Sequence, residues 1–159
     1  MRALPQLIEE DILFLDRELR ELLSKTDASA ALVVDQGGFL ITSKSRGQEF
    51  DLTTIGALAS GSYLANQTIA NLVQENGFNS VYQQGERFSM LVLSIDDCCL
   101  LVVIFSATAG VGAVKYFALP IVRRLARRLQ LAQRRAPSKS LDLSALNLAD
   151  PSDIFKRKS

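Results

Sequence analysis

Six consecutive residues, Leu100, Leu101, Val102, Val103, Ile104 and Phe105, are apolar without interruption. A short run rich in β-branched and aromatic side chains reads as a strand. A strand with one wet face alternates apolar and polar residues, so this run predicts a sheet covered on both sides. Helices are the natural cover, and the chain offers three. The expected class is therefore α/β (α+β), with helices on both faces of one sheet.

The first helix is predicted over residues 4–25, with Pro5 in its first turn. Leu4, Ile8, Ile12, Leu15, Leu19, Leu22 and Leu23 form its apolar stripe. Its outer face is acidic: Glu9, Glu10, Asp16, Glu18 and Glu21. The last helix is marked by Val114, Phe117, Ile121, Leu125 and Leu129, and it is basic, with Lys115, Arg123, Arg124, Arg127, Arg128, Arg134 and Arg135 and no acid between them. If both helices lie on one sheet face, their outer faces pair across a seam. Exposed pairs contribute only about 0–1 kcal/mol each, so such a seam orients the helices more than it stabilises them. The alternative is an anionic partner such as lipid or RNA; a stacking nucleic-acid surface would interleave aromatics with these arginines, and no aromatic residue lies between them.

The remaining segments read as strands. Residues 30–35 and 39–44 flank the turn Gln36, Gly37, Gly38. Residues 80–84, 88–95 and 99–105 follow, separated by turns at 85–87 and 96–97. The order is α-β-β-α-β-β-β-α, with a five-stranded, mainly antiparallel sheet. Residues 98–114 carry no charge and imitate a membrane span. Lys115 ends that run, Ser106, Thr108, Gly110 and Gly112 dilute it, and its pattern turns helical near Val111. A buried strand, a loop and a helix are expected there, and no membrane insertion.

The middle helix, residues 51–75, is the unusual one, with Thr53 or Thr54 as its expected N-cap. Ile55, Leu58, Ser62, Ala65, Ile69 and Leu72 recur at helical spacing and read as its core face. The other side, Gly56, Ala57, Ser60, Gly61, Leu64, Gln67, Thr68 and Asn71, carries no charge, where a solvated helix carries Glu and Lys. Each glycine inside a helix costs on the order of 1 kcal/mol relative to alanine. Small residues there fit close approach by another polypeptide, or packing inside the domain itself.

Several chemistries are disfavoured. The chain has no histidine, the usual general base and the commonest metal ligand. Its two cysteines, Cys98 and Cys99, are adjacent, so they cannot staple distant segments and do not make a zinc site. This fits a reducing compartment. Glu9, Glu10 and Asp11 interrupt what a secretory leader would keep apolar, so a cytoplasmic protein is expected. A net charge of +1 gives no global attraction to nucleic acid. There is no phosphate-binding P-loop sequence. Gly110 and Gly112 open a helix after a strand, but Lys115 stands where a dinucleotide fingerprint needs a small residue. Arg46, Arg87, Asp96 and Asp97 lie in turns and read as solvated. Neither a catalytic residue nor a cofactor is expected.

Residues 136–159 change character. A linker, Pro137 to Ser140, precedes Leu141, Leu143, Leu146 and Leu148 in a polar background, then Ile154 and Phe155 before Lys156, Arg157 and Lys158. The division expected is a domain over 1–135 and a flexible tail over 136–159. Leu146, Leu148, Ile154 and Phe155 are its candidate partner-binding residues.

The element order, with Asp35-Gln36-Gly37-Gly38-Phe39 in the first hairpin and Gly61 in the middle helix, resembles the roadblock (dynein light chain) family, and within it the bacterial MglB-like group. The matching stretches are residues 32–40, 51–61, 84–87 and 101–105, within a match over 4–132. Each is weak alone; their order and spacing carry the likeness. The resemblance implies a homodimer whose middle helices lie side by side. It implies a partner, a small Ras-like GTPase of the MglA kind. Hydrolysis of GTP would be accelerated by reshaping that GTPase rather than by a donated residue, in the setting of cell polarity or motility, at a cell pole for instance. The implied contact residues are Ala57, Ser60, Gly61, Leu64, Gln67, Thr68 and Asn71. A scaffold linking polarity or motility proteins is the alternative. The tail is similar in position to a segment that contacts the GTPase and affects nucleotide exchange, although its basic end departs from the acidic end expected.

Overall fold

The computed structural model describes residues 4–47 and 49–135. The elements are α1 (Glu9–Lys25), β1 (Ala28–Asp35), β2 (Leu40–Ser45), α2 (Leu52–Leu72), β3 (Ser80–Gln83), β4 (Phe88–Ser94), β5 (Cys99–Ser106) and α3 (Val111–Arg134). The five strands form one antiparallel sheet in the order β2-β1-β5-β4-β3. The expected fold class and element order hold.

β5 is the centre of the sheet and is buried from Cys99 to Phe105. Its alternate residues serve two cores. Leu101, Val103 and Phe105 face α1 and α3, with Leu15, Leu19, Leu22, Ile121, Leu125 and Leu129. Leu100 and Val102 face α2, with Leu32, Val34, Val92, Ala59 and Tyr63. Two helices therefore cover one face and a single helix the other. Among the described residues no helix is long and apolar enough to cross a membrane.

Helix starts differ from the expected ones for local reasons. α1 begins at Glu9, five residues beyond Leu4. The Asp11 carboxylate accepts the Ile8 amide at 3.0 Å, and three acids occupy the first turn, where the helix dipole favours them. α2 is capped by Asp51, not by Thr53 or Thr54. The Thr54 amide and hydroxyl donate to its two oxygens at 3.1 and 2.7 Å. α3, by contrast, starts at Val111, where the sequence pattern turns helical.

The charged seam between α1 and α3 exists, but two of its acids are not on an outer face. Asp11 is fully buried, and Arg128 Nε and Arg135 donate to it at 2.8 and 2.5–2.6 Å. Glu18 is buried beneath Arg124, whose Nε donates to it at 2.7 Å while the same guanidinium reaches Glu21 at 2.7 Å. Arg128 also lies over the Phe14 ring. Shielded fork-shaped bonds of this kind are stronger than the solvated pairs expected.

Candidate functional site

α2 touches the sheet along one narrow side. Gly56, Ala59, Ser60, Tyr63 and Ala70 are buried there, and Leu52 and Ile55 pack beside them. Small residues let the helix sit close: a Cβ on Gly56 would meet Val34 Cγ1 at 2.8 Å. The Ser60 hydroxyl donates to the Gln36 carbonyl in the β1–β2 turn at 2.8 Å. Tyr63 is the one large side chain of α2 that is fully buried, and it packs its ring on Phe78, centroids 4.9 Å apart.

This placement corrects the core face read from the sequence. Leu58, Ile69 and Leu72 are 68%, 56% and 79% exposed, and Val73 beyond them is 69% exposed. Ala65 is exposed and Ser62 is half-buried. Their helical spacing is real, but beyond Ile55, which does pack against the core, the face it marks points outward. The signal overlooked is Tyr63, flanked at helical spacing by Gly56, Ala59, Ser60 and Ala70.

The expected contact residues fall into two groups. Ala57, Gly61, Thr68 and Asn71 are exposed, and Leu64 and Gln67 are half-buried at the margin. Ser60 is not available: it is 2% exposed and held by the Gln36 carbonyl. Gly56, grouped with this side, is also buried. A Cβ on Gly61 would meet nothing within 4 Å, so no part of this chain requires glycine there. The outer surface of α2 thus carries two parallel stripes. One is small and polar, with Ala57, Gly61, Thr68 and Asn71. The other is apolar, with Leu58, Ala65, Ile69 and Leu72. Residues 52–72 contain no charged side chain. At the foot of α2 the Thr54 hydroxyl and amide hold the Asp51 carboxyl below its usual range. The tail residues Leu146, Leu148, Ile154 and Phe155 lie outside the described residues.

Residues 15–105, from α1 through the whole sheet, match the Roadblock/LC7 domain model. The chain belongs to the Roadblock/LC7 family. Three solved structures share the fold of this roadblock domain closely. An MglB with a tetrameric arrangement is 29% identical, with 83% of this chain and 99% of that one covered at a TM-score of 0.76. The gliding protein MglB from Thermus thermophilus is 29% identical, with 82% and 99% covered at a TM-score of 0.75. Myxococcus xanthus MglB, 24% identical, matches over 80% and 96% at a TM-score of 0.73, a likeness of fold. No curated protein matches the chain. Among the described residues no group of carboxylate and cysteine side chains could hold a metal ion.

Proposed function

We propose that this roadblock domain pairs with a second copy and regulates a small Ras-like GTPase of the MglA kind through α2. The observation that carries the reading is the outer surface of α2. It stands alone on its sheet face and exposes Leu58, Ile69, Leu72 and Val73 beside an uncharged small-residue stripe. Contiguous apolar surface of this sort marks a protein contact. The likeness to MglB structures at 29% identity supports the partner class.

The two stripes divide the work. The apolar one suits the second copy, since symmetric pairing buries the same side chains twice. The small stripe, Ala57, Gly61, Thr68 and Asn71 with Leu64 and Gln67 at its margin, suits the GTPase, whose backbone can approach where side chains are short. No side chain on this surface can donate to phosphate as an arginine would. Acceleration of hydrolysis would come from holding the GTPase in the shape that aligns its own groups. Leu146, Leu148, Ile154 and Phe155 are proposed as a second contact with the same partner.

The deciding experiment measures GTP hydrolysis by the cognate GTPase with and without this protein, for the unaltered chain and for Leu64→Arg. Acceleration that Leu64→Arg abolishes is the expected result. Binding without any change in hydrolysis would assign a scaffold role instead. Absence of binding would overturn the reading.

A further inference from the structure

The seven basic residues between 111 and 135 divide into two sets. Arg124, Arg128 and Arg135 face α1 and pair with Glu18, Glu21 and Asp11. Lys115, Arg123, Arg127 and Arg134 make no ion pair among the described residues. Arg123, Arg127 and Arg134 recur at spacings of four and seven along the side of α3 opposite its buried residues Val114, Ala118, Ile121, Leu125 and Leu129. Tyr116, Leu119 and Leu131 are exposed around them. α1 adds exposed Leu13, Arg17 and Arg20 to the same layer, with the exposed acids Glu9 and Glu10 confined to its first turn. A solvated helix mixes acids with its bases, yet no Asp or Glu occurs between 111 and 135.

We infer that this outer face of the α1–α3 layer docks on the anionic headgroups of a lipid bilayer. Guanidinium forks suit phosphate oxygens. Tyrosine and leucine side chains between them suit the boundary of headgroup and acyl chain. A hollow of about 430 Å³, lined by Tyr116, Leu119, Pro120 and the unpaired Arg123, with Lys25 and Arg124 held by Glu21 at its side, is roomy enough for a headgroup phosphate. Two other occupants fit less well. A second copy would bring like charge against like charge. A protein partner would favour an apolar centre depleted of charge, whereas here Arg123, Arg127 and Arg134 run through the middle of the face, with Tyr116, Leu119 and Leu131 around them. The face lies across the sheet from α2, so a docked molecule presents α2 away from the bilayer, free for its protein partners. This inference stands apart from the identity of those partners.

The test is co-sedimentation of the full chain with vesicles of phosphatidylcholine alone, or of equal parts phosphatidylcholine and phosphatidylglycerol. Partition onto the anionic vesicles should be at least about tenfold stronger, and should weaken with salt. Arg123→Glu with Arg127→Glu should remove at least about tenfold of it while leaving circular dichroism and oligomeric mass unchanged. Equal partition onto both vesicles would overturn the inference. So would anionic binding that survives the double substitution. Loss of binding on truncation after Arg135, with α3 intact, would overturn it by assigning the binding to Lys156, Arg157 and Lys158. Capture of polyglutamate without capture of anionic vesicles would overturn it in favour of an acidic protein.

Discussion

Gly56 of α2 rests on Val34 of β1 so closely that a Cβ there would lie 2.8 Å from Val34 Cγ1. Five residues on, Gly61 has open space where its Cβ would be. The same residue type in one helix thus answers two different demands. Gly56→Ala forces α2 or Val34 to shift and should destabilise the chain by about 1–3 kcal/mol. Gly61→Ala removes only a helix-interior glycine and should stabilise an unpaired chain by up to about 1 kcal/mol. Urea denaturation of both variants gives the two signs. If Gly61 serves close approach of a partner, Gly61→Ala should also weaken that complex while the chain itself gains stability.

The sequence carried the layer architecture because a strand apolar at every position leaves one arrangement of cover. Hairpin glycines, turn residues and two strongly amphipathic helices placed the rest. The orientation of α2 was less legible, since its residues are apolar or small around most of its circumference. Helical spacing marks Ile55, Leu58, Ile69 and Leu72 as one side, but says nothing about whether the sheet or a partner covers it. Close packing on Val34 and the bond from Ser60 to the Gln36 turn are long-range facts, and they turn the small residues inward. Asp11 and Glu18 were similarly ambiguous. A carboxylate on an acidic helix reads as solvated until the arginines that bury it are placed.

The apolar stripe of α2 predicts self-association. Ile69→Asp should convert the chain from a dimer to a monomer in sedimentation velocity runs at micromolar concentration. Ile69 faces outward, so the monomer's own stability should change by no more than about 0.5 kcal/mol. Tyr63→Ala, on the buried side of the same helix, should instead cost about 3–5 kcal/mol and lose the folded signal in circular dichroism. Unchanged mass for folded Ile69→Asp would remove the pairing surface from this stripe.

Cys98 and Cys99 should be silent toward thiol reagents in the folded chain. Both are buried. Burial pushes the Cys99 thiol well above its usual range, and the neighbouring Asp96 charge adds to the shift. The nucleophile is the thiolate, so both access and ionisation oppose reaction. Labelling with a disulfide reagent at mildly alkaline pH should proceed at the rate of unfolding, and two thiols per chain should react at once in denaturant. Rapid labelling of native protein would contradict the packing of β5.

Asp11 should make the chain acid-sensitive. Its bonds from Arg135, Ile8 and Arg128 hold its carboxyl far below the usual range, the Arg135 bond contributing most and burial opposing it. A carboxyl depressed on folding contributes stability that is fully present above its unfolded value, near pH 4, and is lost as pH falls from there toward the folded value. Asp11→Asn can still accept from the Ile8 amide, but it leaves two arginines without their carboxylate. Those side chains are 23% and 37% exposed, so water takes up part of the charge. The loss should therefore be about 2 kcal/mol at neutral pH, below the range for a fully enclosed pair. Urea midpoints of the two chains should converge as pH is lowered from about 4 toward 2. Asp16 and Glu21 are also depressed, and because both chains keep them, their titration cancels from the difference. A gap between the midpoints that stays constant over that interval would mean that Asp11 is no better stabilised as an anion in the fold than in the unfolded chain.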